Sequence, residues 1–103
     1  MLEYRVVESN GRHCIGLNEN DFTAFQECCE IIEAVFKTDI KEVEDIPVPV
    51  SLADLHRTYH LNHGQILIDL DEAWGIDISS SYPSILKELV KGYEHSAKFT
   101  KIT

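Results

Sequence analysis

The chain has 103 residues, 44% of them hydrophobic and 26% charged, enough apolar material for one core and for a single domain over 1–103. Nine Lys plus Arg against eighteen Asp plus Glu give a net charge of -9, the wrong sign for a partner held through phosphates, which argues against direct nucleic-acid binding. No apolar run approaches the roughly 18 residues that span a bilayer. The start, Met1-Leu-Glu-Tyr-Arg5, lacks the basic-then-apolar order of a signal peptide, so a cytoplasmic protein without membrane contact is expected.

Leu2 to Ser9 and Arg12 to Asn18 are rich in Val, Ile, Leu and Tyr and flank Asn10-Gly11, a pair that tolerates the positive φ of a tight hairpin turn. A first hairpin is predicted, with Tyr4, Val6 and Glu8 sharing a face and Gly16 marking a bulge. A helix follows, capped by Asn20 or Asp21 and running to about Thr38, because Phe22, Phe25, Cys29, Ile32 and Phe36 recur at helical spacing. Its apolar arc spans about 180°, wider than one sheet contact needs, so a second element or a partner should cover its flank. The three cysteines, Cys14, Cys28 and Cys29, include a vicinal pair poorly placed for a mutual bond and show no Cys-x-x-Cys spacing. Buried thiols without a disulfide are expected.

Ile40 to Asp45 reads as charged and irregular, and Ile46-Pro-Val-Pro-Val50 as an edge strand or extended connector, since its prolines forbid a helix. Ser51-x-x-Asp54 fits a capping box and predicts a short helix carrying Leu52, Leu55 and Tyr59, ending by Asn62-His63-Gly64. Gln65 to Asp71 and Ile76 to Ile78 alternate as a second hairpin around Glu72-Ala73-Trp74-Gly75. Ser81 and Pro83 start a last helix with Ile85, Leu86, Leu89, Val90, Tyr93 and Ala97 on one arc. Two hairpins, each followed by an amphipathic helix, predict an α+β two-layer sandwich, a mainly antiparallel sheet with both helices on one face.

His56, His60 and His63 stand at i, i+4 and i+7, so one continuous helix would aim all three imidazoles the same way, toward a shared metal ion or hydrolytic site. That helix is short and ends near His63, and no fourth ligand is evident, so no metal and no cofactor are assigned. Asp69, Asp71, Glu72 and Asp77 lie around the second hairpin, where converging acids could perform acid–base work or hold Mg²⁺, but Asp69 and Asp71 share a strand face, as acids on a solvated face do. The sequence has no Gly-x-Ser-x-Gly, no glycine-rich phosphate loop and no His-Glu-x-x-His, and the chain reads as a binding module, not an enzyme.

Charge placement is the more informative signal. Between Glu19 and Asp45 nine acids face only two lysines, Lys37 and Lys41, whereas Lys87 to Lys101 holds four lysines and two glutamates. Glu27, Glu30, Glu33, Asp39, Glu42, Glu44 and Asp45 therefore form a candidate surface for steering a basic protein, and Asp69, Asp71, Glu72 and Trp74 a second candidate patch. In size and acidity the chain resembles the small bacterial immunity proteins that neutralise toxic nuclease domains, including those of contact-dependent inhibition systems. The resemblance implies a one-to-one complex with a basic toxin. Self-association through the wide apolar arc of the first helix is a third reading, which leaves monomer and homodimer both open.

Overall fold

The computed structural model describes residues 2–9, 12–47, 55–71 and 73–102. In chain order the elements are β1 (Leu2–Ser9), β2 (Arg12–Leu17), α1 (Phe22–Val35), β3 (Ile40–Pro47), β4 (Leu55–Leu61), β5 (Gly64–Asp71), β6 (Gly75–Ser80), α2 (Pro83–His95) and β7 (Phe99–Lys101). The seven strands form one sheet in the order β3-β4-β5-β6-β2-β1-β7. All its pairings are antiparallel except β1 with β7, where Leu2 lies beside Phe99 and Tyr4 beside Lys101.

Both predicted hairpins form. Ser9 pairs with Arg12 and Asp71 with Gly75, while Asn10, Gly11 and Glu72 lie outside the described residues. The first hairpin runs in regular register through Gly16, so the expected bulge is absent there. Among the described residues the register shifts between Ile40 and Glu42 of β3. Asp21 caps α1, its carboxylate accepting from the Ala24 N–H at 2.7 Å, and the helix closes when the Phe36 N–H donates to the Ile32 carbonyl. It therefore stops short of Thr38. Pro83 opens α2, where its missing N–H costs no helical bond.

Two expectations are corrected. Residues 55–61 are a strand, not part of a helix, and Ser51 and Asp54 of the supposed cap lie outside the described residues. Leu55 and Tyr59 are four residues apart, a spacing that fits one face of a helix and one face of a strand equally. Pairing of β4 with β3 on one side and β5 on the other decides for the strand. Ile40 to Asp45, read as irregular, forms most of β3. Its run of charges is tolerated because β3 is an edge strand, paired on one side only.

Burial alternates along the strands. Tyr4, Ile15, Leu17, Tyr59, Leu61, Ile66, Ile68, Leu70, Ile76 and Ile78 join a single buried cluster with Ala24, Phe25, Cys28, Cys29 and Ile32 of α1 and Ile85, Leu86, Leu89 and Tyr93 of α2. Tyr93 packs at 5.0 Å between ring centroids on Tyr4 and at 4.6 Å on Phe99, tying α2 to the β1–β7 end of the sheet. The flank of α1 meets α2: a methyl group on Gly92 would come within 2.5 Å of Val35. Most of the wide apolar arc is thus covered from within the chain, although Phe22 remains 60% exposed.

Gly75 closes the second hairpin at φ +91°, and a Cβ there would stand 2.2 Å from the Leu17 carbonyl oxygen. Gly75→Ala should therefore lower stability by about 2 kcal/mol or more, since both the backbone conformation and the close approach to β2 resist it. Urea unfolding followed by circular dichroism tests this; an unchanged midpoint would contradict the tight β6–β2 contact.

Candidate functional site

The residues that alternate with the core residues form the second face of the strands. Across five neighbouring strands the register aligns His56 of β4, Asp69 of β5, Asp77 of β6, Gly16 of β2 and Arg5 of β1 in a single transverse row. This row runs along a cleft of about 570 Å³, lined also by Val7, Cys14, Leu55, Leu70, Asp71, Trp74, Gly75 and Ile76.

Each member has a local reason for its place. The His56 Nδ1 contacts a carboxylate oxygen of Asp69 across β4 and β5. Asp69 stands directly opposite Asp77, and like charges at that position repel. Burial raises the Asp77 carboxyl above the ordinary carboxylate range, and the positive charge of Arg5 only partly opposes this. Gly16 between them has no side chain, so the Arg5 side chain lies over it: a Cβ on Gly16 would be 3.6 Å from Arg5 Nε. The guanidinium is anchored by donating to the Asn18 side-chain oxygen at 2.7 Å.

Asp71 has a different task. Its carboxylate accepts from the Ala73 N–H at 2.7 Å and the Trp74 N–H at 3.1 Å, folding the β5–β6 loop so that Trp74 stands at the cleft rim, 82% exposed. A tryptophan so exposed on a loop held by two hydrogen bonds presents a large amphipathic surface.

The three histidines do not gather. His56 and His60 share a strand face, but His60 pairs with Glu44 at 2.9 Å, and His63 is exposed in the turn between β4 and β5. Their common helix does not exist, and among the described residues no group of three His, Cys, Asp or Glu side chains is arranged to hold a metal ion.

The first acidic surface is divided among separate internal bonds. Lys98 reaches Glu27 at 2.9 Å and Glu30 at 3.8 Å. Glu33 accepts from the Tyr59 hydroxyl at 2.6 Å, and Asp39 from the Asn62 amide at 3.2 Å. Asp45 receives two bonds from Arg57, at 2.5 and 3.1 Å, which hold its carboxyl below the ordinary range. The Arg57 guanidinium also lies 5.7 Å from the centre of the Phe25 ring and 6.0 Å from that of Tyr59. Glu42 is exposed on β3, opposite His60 in register.

Of the second patch, Asp69, Asp71 and Trp74 converge in the cleft, while Glu72 lies outside the described residues. Arg5 has no signal in the sequence as a site residue, Gly16 is legible there only as a bulge, and Asp77 only as one of four acids around the second hairpin. Their juxtaposition depends on β2 pairing with β6, and the order of strands has no local signature. No protein-family profile matches the sequence, and no curated protein or solved structure matches it significantly.

In the folded protein Asp77 keeps its proton to higher pH than in the unfolded chain, so its ionisation weakens folding as pH rises through the raised value. Asp77→Asn should raise the melting temperature at pH 7, the gain vanishing below the carboxyl range of about pH 4. A thermal-melt series from pH 3 to pH 8 showing no such convergence would contradict this.

The thiols should differ as sharply. Burial pushes Cys28 up to about 12 and raises Cys29, whereas Cys14 is half-buried at the cleft. At pH 8 native protein should acquire one iodoacetamide adduct readily, at Cys14, and the other two only in denaturant. Peptide mapping by mass spectrometry distinguishes the sites.

Proposed function

We propose that the protein is a non-enzymatic binding module whose two helices cover one face of the sheet, as a two-layer α+β sandwich, leaving the other face to dock a basic protein. Its role is that of an inhibitor or immunity protein neutralising a basic toxin or nuclease domain by one-to-one binding. The observation that carries this reading is the cleft on the second strand face, lined by Asp69, Asp71 and Asp77 and by Trp74, 82% exposed, at its rim. An exposed aromatic ring beside carboxylates matches the composition of an interface centre, with a desolvated anchor and complementary charge.

The -9 net charge supports the same reading at longer range, because it attracts a basic partner and repels nucleic acid. Glu27, Glu30, Glu33, Asp39, Glu42, Glu44 and Asp45 then contribute to the steering field although most are engaged internally. Exposed ion pairs contribute only about 0–1 kcal/mol each, so they exchange partners at little cost. Among the described residues no helix is long and apolar enough to cross a membrane.

The test is a low-salt pull-down from the source cell with stepped salt elution, followed by affinity measurement on the purified pair. One basic protein bound one-to-one is expected, with Trp74→Ala weakening it about 30-fold or more, equivalent to about 2 kcal/mol. Reversing Glu27, Glu30 and Glu33 to Lys should slow association about tenfold at low salt and leave dissociation nearly unchanged. A captured partner indifferent to Trp74→Ala would place its interface elsewhere.

A further inference from the structure

We propose that the cleft is an arginine receptacle: a guanidinium presented by the basic partner lies between the carboxylates of Asp69 and Asp77 with the indole of Trp74 against its plane. The proposal rests on the docking reading of this face and names the side chain that enters it.

Three observations favour a guanidinium. Asp69 and Asp77 are cross-strand neighbours on one face, which places their Cβ atoms about 4.5–5.5 Å apart. A planar fork of five donors bridges two such carboxylates, and bringing a cation there relieves their repulsion. The charges already in the row do not perform this task in full. His56 contacts Asp69 from the β4 side, and the Arg5 guanidinium, which lies over Gly16 beside Asp77, is already donating to the Asn18 side-chain oxygen.

Trp74 supplies the second element. Its exposed ring at the cleft rim is the best of the aromatic faces for a weakly hydrated, delocalised cation. An ammonium, compact and strongly hydrated, gains less from stacking and binds carboxylates as a point charge. A divalent metal is disfavoured, since among the described residues no three acidic, histidine or cysteine side chains are arranged to hold one.

The third observation is internal. On the core side of the same sheet, Arg57 is held by both carboxylate oxygens of Asp45 and lies over Phe25 and Tyr59. Carboxylate plus aromatic ring is thus how this protein accommodates a guanidinium of its own, and the cleft offers the same two groups to a guanidinium from outside.

The chain's one tryptophan makes the test direct. N-acetyl-arginine methylamide is titrated at about 150 mM salt, a concentration that screens non-specific attraction, with Trp74 fluorescence as readout. A saturable change is expected. The neutral citrulline analogue should bind at least about tenfold more weakly, the loss of one charge-assisted contact. Asp77→Asn should weaken arginine binding by a similar factor, whereas Glu30→Gln should not alter it. Equal responses to arginine and citrulline, to arginine and the lysine analogue, or in wild type and Asp77→Asn would each overturn the proposal. The two readings fail separately. Capture of a basic protein that depends on Trp74, with no arginine preference, removes the receptacle and keeps the docking face; arginine-selective binding with no protein captured does the reverse.

Discussion

The pairing of β2 with β6 is the constraint on which the rest of the molecule depends. It joins the N-terminal hairpin to the four-strand meander β3-β4-β5-β6 through Ile15 beside Ile78 and Leu17 beside Ile76, four residues that are all fully or almost fully buried. Because strand side chains alternate with period two, the register that places these four in the core also places Gly16 beside Asp77 on the other face. A slip of β6 by one residue would send Asp77 inward and Ile76 and Ile78 outward. Core and cleft are therefore consequences of one register, and its stability comes from burial of the core side at about 25 cal/mol per Å² of apolar surface.

This coupling explains which parts of the structure were legible in the sequence. Local signals sufficed for both hairpins and both long helices: the alternation around Trp74, the helical spacing from Phe22 to Phe36, the cap at Asp21, and Pro83 at a helix start. They failed at β4, where Leu55 and Tyr59 satisfy both periods and only pairing with β3 and β5 selects the strand. They failed also at β3 and β7. The first looks like a solvated loop because an edge strand has solvent on one side, and the second is three residues long and held by parallel pairing with β1 from the opposite end of the chain. Asp69, Asp71 and Trp74 were recognisable as a patch because they lie within six residues of one another. The approach of Arg5 to Asp77 was not, since 72 positions separate them and only the sheet brings them near.

The acids of this chain divide by what surrounds them. Asp45 and Glu33 are bound to Arg57 and Tyr59 at the margin of the core. They complete the solvation of polar groups that burial would otherwise leave costly, and Tyr59, fully buried, needs such a partner for its hydroxyl. Glu27 and Glu30 share Lys98 at the surface, where screening keeps such contacts weak. Asp71 is committed to backbone amides of its own loop. Asp77 differs from all of these: partly desolvated, opposed by the Asp69 carboxylate on β5, and flanked on the other side by the Arg5 guanidinium lying over Gly16.

Net charge and the cleft act over different ranges, and salt separates them. In the proposed docking, the -9 charge draws a basic partner over distances comparable to the Debye length, about 8 Å at physiological ionic strength, and so governs how fast the two meet. In the same proposal, contacts within the cleft act at hydrogen-bond distance, where screening is slighter, and so govern how long the two stay together. Specificity then comes from a few residues in one row, while the remaining acids contribute through their summed charge. That is consistent with a chain whose fold is held by β2–β6 register and in which Trp74, the most exposed large hydrophobic side chain among the described residues, lies outside the buried core.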